Sequence, residues 1–348
     1  MKSARTPRSF LADQKVSEVV VRLGVRYLEP AHMQSQLAPD GAYPMAIISF
    51  GQALPHTYSC PVIPLDLPQI DGHSLVEVWT CDRPVQTQED AGCSIAMNGD
   101  FLIGSISLDE KPDISLDVTT YAGYREVLYQ LRDLRYPYLW RAWNYFPRIN
   151  DDQDGLERYR RFCVGRHQAL TEALSDFPSS LPAGTAVGTK SGPLQIVFLA
   201  GTQPATHLGN PRQMNAYEYP QDYGPRSPSF ARATFTRTEE ECLLFIAGTA
   251  SVVGHTSRHA GLPNEQTRET IENLQAVINH AGHAADIDFI GAQRHAIYKV
   301  YLRDPDSLPE IRRTIEQSPL RHQHMLFLQG DLCRKELLVE VEGLIISD

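Results

Sequence analysis

A glutamate close to the C-terminus lies in an apolar run that suits acid–base chemistry. Glu340 stands in LLVEVEG with Val339 and Val341 on either side. Apolar surroundings disfavour a charged carboxylate, so a glutamate there keeps its proton to a higher pH and serves as a proton donor. Glu342 shares the same strand face at a two-residue step and would raise the proton affinity of the pair further. The same alternation is also typical of the solvent face of an edge strand.

Three arginines are candidates for holding carboxylates, because a guanidinium donates two parallel hydrogen bonds to that group. Arg166 lies among apolar residues in CVGRHQAL, Arg226 lies in a turn stiffened by two prolines, and Arg232 lies between two alanines. Tyr219 and Tyr223 could donate phenolic hydrogen bonds while their rings cover a ligand. The alternatives are surface or salt-bridged arginines and ordinary packing of the tyrosines.

The bulk properties argue against several classes of function. A net charge of -10 and a pI near 5.6 disfavour a nucleic-acid groove or an anionic membrane surface as partner. The six cysteines form no C-x-x-C pair, which indicates reduced thiols. No signal-peptide run and no apolar stretch of about 20 residues is present, so we predict a cytoplasmic protein. Metal-dependent and serine-hydrolase motifs are absent.

Residue periodicity predicts an α+β fold. Short β-branched runs, including residues 18–23, make the first hundred residues β-rich, and from Tyr121 the spacing becomes helical. A second helix, a Gly-rich bend over 184–192 and a strand over 194–200 are expected next. From residue 230, strands and helices follow in the order ββαβαβ with an extra final strand, which describes a mixed sheet with helices on one face. The length suits two domains.

Five stretches together resemble one enzyme family. They are RAWNYFPRIN, LERYRRFCVGRHQAL, YPQDYGPRSPSFARA, LFIAGTASVVGHTSRHAG and HMLFLQGDLCRKELLVEVEG. In this order they are similar to the chorismatases, whose members carry two fused YjgF/RidA-like (chorismate-mutase-like) halves. The resemblance covers roughly residues 75–346 and does not reach the first seventy. It implies an N-terminal half over 1–190 with a β-rich start and a C-terminal domain over 191–348, with the active site between them or near the C-terminal half.

The resemblance implies cleavage of chorismate to pyruvate and a hydroxybenzoate, with no metal or organic cofactor. The leading product is 3-hydroxybenzoate, and 4-hydroxybenzoate is a second possibility. Glu340 matches the family's catalytic glutamate and would protonate the enolpyruvyl group, with Cys333 as the second catalytic residue. The two carboxylates of chorismate call for at least two of the arginines. The substrate-binding residues predicted on this basis are Arg166, Tyr219, Tyr223, Arg226, Arg232, Gly248, Asn144, Thr249 and His255.

Two positions indicate which product forms. Family members that add water resemble this chain except for alanine at the positions of Gly248 and Cys333, whereas members with glycine and cysteine form hydroxybenzoates. A thiol beside the ring can assist proton movement, and glycine leaves more room for the ring. Two alternatives stay open: a hydrolytic chorismatase giving 3,4-dihydroxycyclohexa-1,5-diene carboxylate, and a YjgF-like protein that binds or hydrolyses imines and enamines. A fused chain can satisfy its own interfaces, so we predict a monomer.

Overall fold

The computed structural model describes residues 23–38, 41–54, 58–90, 92–237, 241–291 and 293–347. The strands are β1 (Leu23–Leu28), β2 (Tyr43–Phe50), β3 (Val62–Leu65), β4 (Val76–Cys81), β5 (Gln86–Asp90), β6 (Cys93–Met97), β7 (Phe101–Leu108), β8 (Tyr138–Pro147), β9 (Asp152–Gln153), β10 (Leu156–Glu157), β11 (Ala183–Thr189), β12 (Leu194–Gly201), β13 (Thr206–Leu208), β14 (Ala233–Arg237), β15 (Cys242–Ala250), β16 (Val252–Val253), β17 (Thr256–Ser257), β18 (Gln293–Leu302), β19 (His324–Gln329) and β20 (Val339–Ser347). The helices are α1 (Met33–Gln36), α2 (Leu116–Asp133), α3 (Arg158–Ala173), α4 (Pro263–Ala285) and α5 (Leu308–Glu316). Residues 18–22 of the strand predicted over 18–23 lie outside the described ranges.

Two six-stranded sheets repeat one topology. Their strand orders are β5-β6-β7-β12-β8-β11 and β13-β14-β15-β20-β18-β19, so in each sheet the last strand of the unit lies between the third and the fourth. The fourth and fifth strands are parallel in both sheets, and the other pairs are antiparallel. Each sheet carries two helices, α2 with α3 and α4 with α5, on one face. The predicted α+β class is confirmed, and the repeated strand order is what two fused halves require.

The residues before the first six-stranded sheet form a shorter version of the same sheet. Its order is β1-β4-β2-β3, with β2 and β3 parallel, which corresponds to the last four positions of the repeated order. In place of the long helices, its described residues contain only α1 and short connections. Residues 23–81, which the sequence resemblance left mostly unassigned, therefore supply a partial third sheet.

The topology corrects the predicted division of the chain after residue 190. β12, which that division assigns to the C-terminal half, pairs with both β7 and β8 in the centre of the first six-stranded sheet. The N-terminal sheet therefore ends at Gly201. The strand was misassigned because the final strand of each unit returns to the middle of its own sheet, a long-range pairing that local periodicity does not report.

Two strands next to the site were also missed. The aromatic stretch between α2 and α3 is β8, which is buried on both faces and so shows no polar alternation. The predicted bend over 184–192 largely belongs to β11, a parallel neighbour of β8. Its glycines serve close packing: a Cβ at Gly184 would lie 2.8 Å from the Phe230 side chain and 3.1 Å from the Arg166 guanidinium.

The three sheets share one central core, with the helices on the outside. Trp79 of β4 packs edge to face on Trp143 of β8, and Trp140 of β8 stacks on Phe245 of β15. On the outer face of the second large sheet, α4 buries an apolar stripe of Ile271, Leu274, Val277 and Ile278, each of which stabilises the fold by about 1.5–3 kcal/mol. The aromatic packing in the central core holds the two large sheets against each other and so defines the cleft between them.

Candidate active site

A cavity of about 220 Å³ opens between the two large repeats, beside the carboxyl-terminal part of β15 and the start of β20. It joins residues that are distant in sequence, from the start of α3, the segment before β14, and the segment between β19 and β20. The lining residues used below are Tyr159, Arg160, Tyr219, Tyr223, Arg232, Gly248, Cys333, Arg334 and Glu340. A second, smaller cavity of about 30 Å³ adjoins it and shares Tyr159, Gly248, Cys333 and Glu340 with it, and Arg166 lines that part.

Glu340 lies where the two cavities meet. It is 4% exposed, and its carboxyl has neither a hydrogen bond nor an ion pair among the described residues. Burial raises the pKa of its carboxyl to about 8, with a further rise from Glu342, while Arg141 and Arg232 act in the opposite direction. The protonated form of Glu340 therefore predominates at neutral pH, which is the form that a proton donor requires.

Gly248 makes room for that carboxyl. The register of β15 on β20 is irregular between Ile246 and Thr249, which places Gly248 against Glu340. A Cβ at Gly248 would overlap Oε1 of Glu340 and lie 3.2 Å from a methyl group of Thr185. The sequence predicted that Gly248 makes room for a substrate ring. In the structure, the space that a Cβ at this position would take is occupied by a carboxyl oxygen of Glu340.

Cys333 lines both cavities with Glu340. Desolvation raises the pKa of its thiol to about 12, with the nearby Glu340 as a smaller contribution in the same direction. The thiol therefore stays protonated at neutral pH, so it can donate a weak hydrogen bond or pass a proton but is a poor nucleophile.

Arg166 projects from α3 into the smaller cavity with unused donors. It is 3% exposed, and its Nε and Nη2 atoms have no hydrogen-bond partner among the described residues. The guanidinium lies over the Tyr124 ring at 5.1 Å. A buried cation without a carboxylate is costly, so this arrangement indicates an anionic ligand.

Arg232 and the two tyrosines form one wall of the larger cavity. Arg232 donates from Nη2 to the Tyr219 hydroxyl at 2.7 Å and to the Met214 carbonyl at 2.9 Å, and its Nε has no partner among the described residues. The Tyr223 hydroxyl donates to the His255 carbonyl at 2.7 Å. Both tyrosines line the cavity; the Tyr219 hydroxyl accepts a hydrogen bond from Arg232, and the Tyr223 hydroxyl donates one to His255.

Three lining residues were missed as site residues. Arg334 follows Cys333 directly, and its guanidinium lies 4.2 Å from the centre of the Tyr223 ring and 5.2 Å from that of Tyr219. It donates to the His255 carbonyl at 2.9 Å, which fixes its position at the cavity wall. Arg160 and Tyr159 come from the start of α3. The sequence could have identified Arg334, because it lies in one of the five stretches that resemble the chorismatases.

Four predicted substrate contacts are not where the sequence placed them. Arg226 is exposed and lines neither cavity, although Tyr223 and Pro228 of the same segment line the larger one. Asn144 is fully buried, with its amide satisfied by the Tyr124 hydroxyl at 2.6 Å and the Thr185 carbonyl at 2.8 Å. Thr249 donates its hydroxyl to the Ala247 carbonyl at 2.8 Å. The His255 carbonyl accepts hydrogen bonds from Tyr223 and Arg334, so His255 stabilises the cavity wall without lining either cavity.

Comparison with known proteins identifies the family to which this arrangement belongs. A protein of Streptomyces hygroscopicus named "Chorismatase" is 37% identical over 287 residues, covering 79% of this chain and 80% of that protein. The chain belongs to the chorismatase family. A "3-hydroxybenzoate synthase" of the same species is 32% identical over 301 residues, covering 84% of this chain and 87% of the other. A crystal structure of a chorismatase superposes with a TM-score of 0.82 at 32% identity, covering 94% of this chain and 99% of that one.

The match to the family description "Chorismatase FkbO/Hyg5-like, N-terminal" spans residues 77–200. That segment begins in β4 and ends in β12, so it agrees with the end of the first large sheet at Gly201. In the described part of this chorismatase-family chain, no group of three or more His, Cys, Asp or Glu side chains is placed to hold a metal ion. None of its described helices combines the length and apolar character needed to cross a bilayer.

Proposed function

We propose that this protein cleaves chorismate, releasing pyruvate and leaving a hydroxybenzoate, with 3-hydroxybenzoate as the main product and 4-hydroxybenzoate as a second one. One observation carries the proposal: Glu340 is a buried acid with a pKa of about 8, set between two cavities that each offer an arginine with unused donors. The names of the relatives, chorismatase and 3-hydroxybenzoate synthase, support it. The monomeric state and the cytoplasmic location stay predictions.

The two ends of the cleft match the two carboxylates of chorismate. Arg166 lies at the end formed by α3 and β11, and Arg232 with Arg334 lies at the end formed by the loop tyrosines. Guanidinium groups bind carboxylates through two parallel hydrogen bonds, so the separate arginines set both the position and the orientation of the substrate. The exposed aromatic faces of Tyr219 and Tyr223 suit the flat ring or the enol group between them.

Glu340, which lies between the two ends of the cleft, supplies the proton that cleavage of a vinyl ether requires. Glu340 gives its proton to the enolpyruvyl methylene, which makes the attached carbon electrophilic and lets the bond between the ring carbon and the ether oxygen break, with its electrons forming the pyruvate carbonyl. The neighbouring 4-hydroxyl oxygen bonds to that ring carbon and loses its proton to Glu340. Opening of the resulting oxide at the 4-carbon, with loss of the ring proton from the other carbon, gives the phenol. Pyruvate and hydroxybenzoate together contain all atoms of chorismate, so no water is consumed.

The first test is to incubate the purified protein with chorismate in ¹⁸O-water, measure pyruvate, and resolve the ring products by chromatography and mass spectrometry. We expect pyruvate in an amount equal to the sum of the hydroxybenzoates, with 3-hydroxybenzoate as the larger share and no ¹⁸O in the phenolic oxygen. A diene diol in place of the phenols, labelled or not, would replace this proposal by the hydrolytic reaction, because water can add at the ring carbon or at the protonated enolpyruvyl carbon. No pyruvate at all would reject chorismate as substrate.

Cys333→Ala is expected to redirect the product while pyruvate release continues. The thiol lies beside Glu340 and stays protonated, so its place is in proton movement on the ring after the ether bond has broken. We expect the hydroxybenzoate share of total product to fall by about tenfold, with the diene diol replacing it. Cys242→Ala, which replaces a buried thiol on β15 that lines neither cavity, is the matched control. An unchanged product ratio would show that Cys333 is only a packing residue.

A further inference from the structure

A cluster of buried charges lies where the three sheets meet, behind the catalytic carboxyl. It consists of Glu342 on β20, Lys299 on β18, Arg141 on β8 and Glu77 on β4, and we call it the interior ion cluster. Arg141 Nη2 lies 2.7 Å from one Glu342 oxygen, and Lys299 Nζ lies 3.1 Å from the other. Lys299 Nζ also lies 3.0 Å from a carboxylate oxygen of Glu77, so this lysine pairs with both glutamates. None of these four side chains is more than 6% exposed.

Uncharged donors complete the shell around Glu342. Thr185 Oγ1 lies 2.5 Å from Oε2, and Trp143 Nε1 lies 2.9 Å from Oε1. Thr185 Oγ1 also accepts the Gly248 N–H at 2.9 Å, so the cluster is tied to the irregular turn of β15 that accommodates Glu340. Burial opposes the ionisation of Glu342, but Lys299 and Arg141 outweigh it and lower the pKa. The two glutamates of one strand face are therefore held in opposite protonation states.

The sister sheet shows that this strand does not need either carboxylate to fold. β12 occupies in the first large sheet the place of β20 in the second. Tyr145 pairs with Gln195 there as Tyr301 pairs with Glu340 here, and the next inward position is Val197 where β20 has Glu342. Buried ion pairs contribute little net stability compared with apolar residues of similar size. The cluster is centred on Glu342 of the strand that carries the acid, where the sister strand has Val197, and this difference points to the reaction rather than to folding.

We propose that Glu342 is a positioning residue for the reaction, whose negative charge, held by Arg141 and Lys299, keeps the proton on Glu340 and turns that carboxyl toward the cavity. This inference rests on the proposed function. The charged groups that perturb the Glu340 pKa are Glu342 on β20, Arg141 on β8 and Arg232 before β14. The cavities that Glu340 lines also contain further titratable and charged side chains: Glu157, Tyr159, Arg160, Cys163, Arg166, Tyr219, Tyr223, Cys333, Arg334, Lys335 and Glu336. Among the carboxylates, Glu342 is the one whose charge favours the protonated acid.

The test is the pH dependence of kcat/KM for pyruvate release in Glu342→Gln. An acid catalyst loses activity as pH rises through its pKa, so the wild-type rate should fall above about pH 8. Without the charge of Glu342, with Arg141 left unpaired and Lys299 paired with Glu77 alone, we expect this fall to move to lower pH by about one pH unit, which is about a fivefold loss at pH 8 and approaches tenfold at higher pH. Glu342→Asp keeps the charge and should keep the wild-type pH dependence even if kcat decreases.

Glu77→Gln is the matched control, because it makes the same chemical change in the same cluster on the far side of Lys299. Glu77 is fully buried and is not among the charges that perturb the Glu340 pKa, so the fall should stay near pH 8. A shift of equal size in both glutamine variants, or in neither, would overturn the proposal.

A substrate-free measurement keeps the inference separate from the proposed function and from the folding of the variants. Infrared difference titration of the wild type against Glu340→Gln should show one protonated carboxyl that titrates near pH 8 and is missing from the variant. Two carboxyls titrating together in the ordinary glutamate range would overturn the inference even if chorismate is cleaved. A titration near pH 8 without any turnover of chorismate would reject the proposed substrate and keep the coupling between the two glutamates.

Discussion

Glu340→Gln is expected to lower kcat for pyruvate release by about 10²- to 10⁴-fold, the usual contribution of a general acid. Glutamine has the size of glutamate and fits the space left by Gly248, but its amide cannot deliver a proton to the enolpyruvyl methylene. Steady-state measurement of pyruvate at pH 7 checks this. The strand should tolerate the change well, because Gln195 occupies the corresponding position in the sister sheet.

Binding separates loss of chemistry from loss of structure. We expect calorimetric titration of Glu340→Gln to show chorismate affinity within a few-fold of wild type, because the carboxylates of the substrate contact the arginines and not this acid. Glu316→Gln, at the exposed end of α5, should leave all parameters unchanged. A Glu340→Gln enzyme that retains a tenth or more of wild-type kcat would show that the proton comes from another group.

Arg166→Met is expected to raise KM for chorismate by roughly 10- to 150-fold, since a hydrogen bond to a charged group contributes about 1.5–3 kcal/mol. The Nε and Nη2 atoms that have no protein partner are the donors available to a substrate carboxylate. The thermal midpoint should be equal to that of wild type or higher, because methionine replaces a buried, unpaired cation by an apolar chain of similar length. Poorer binding in a protein of unchanged or greater stability is the signature of a ligand contact.

Arg226→Met is the matched control, because the structure leaves this arginine exposed and outside both cavities. Its KM should stay within twofold of wild type. If instead Arg166→Met lowered the thermal midpoint by several degrees and left KM unchanged, Arg166 would be a structural residue and the smaller cavity would not bind a carboxylate. If Arg166→Met and Arg226→Met raised KM equally, Arg226 would also have to contact the substrate.

Two of the predicted site residues stand out in the sequence because their chemistry conflicts with that of their neighbours. Glu340 in an apolar strand and Arg166 among apolar helix residues both cost free energy where they lie, and the structure places both at the cleft. The resemblance added Cys333 and Gly248, which no periodicity would have selected. Those predictions depend on residue type and immediate context, which the sequence contains.

Asn144 and Thr249, which do not line the cleft, have their polar groups satisfied by partners that only the folded chain reveals. Asn144 finds its partners on α2 and β11, about 20 and 40 positions away in sequence. Arg226 lies in a stiff turn, but the direction of that turn is set by packing on other segments. Arg334 was missed because its neighbours in space, Tyr219 and Tyr223, are more than a hundred positions away.

Sequence by itself determined the α+β class, the two-repeat organisation of most of the chain and the family, and it predicted Glu340 as the acid. These follow from periodicity, from composition and from stretches of residues that are local in the chain. Tertiary structure alone decided that β12 belongs to the first large sheet, that residues 23–81 supply a partial third sheet, and that Glu342 is ionised while Glu340 is protonated. The physical reason is that protonation state depends on desolvation and on charges a few ångströms away. Here those charges, Arg141 and Lys299, come from two different sheets.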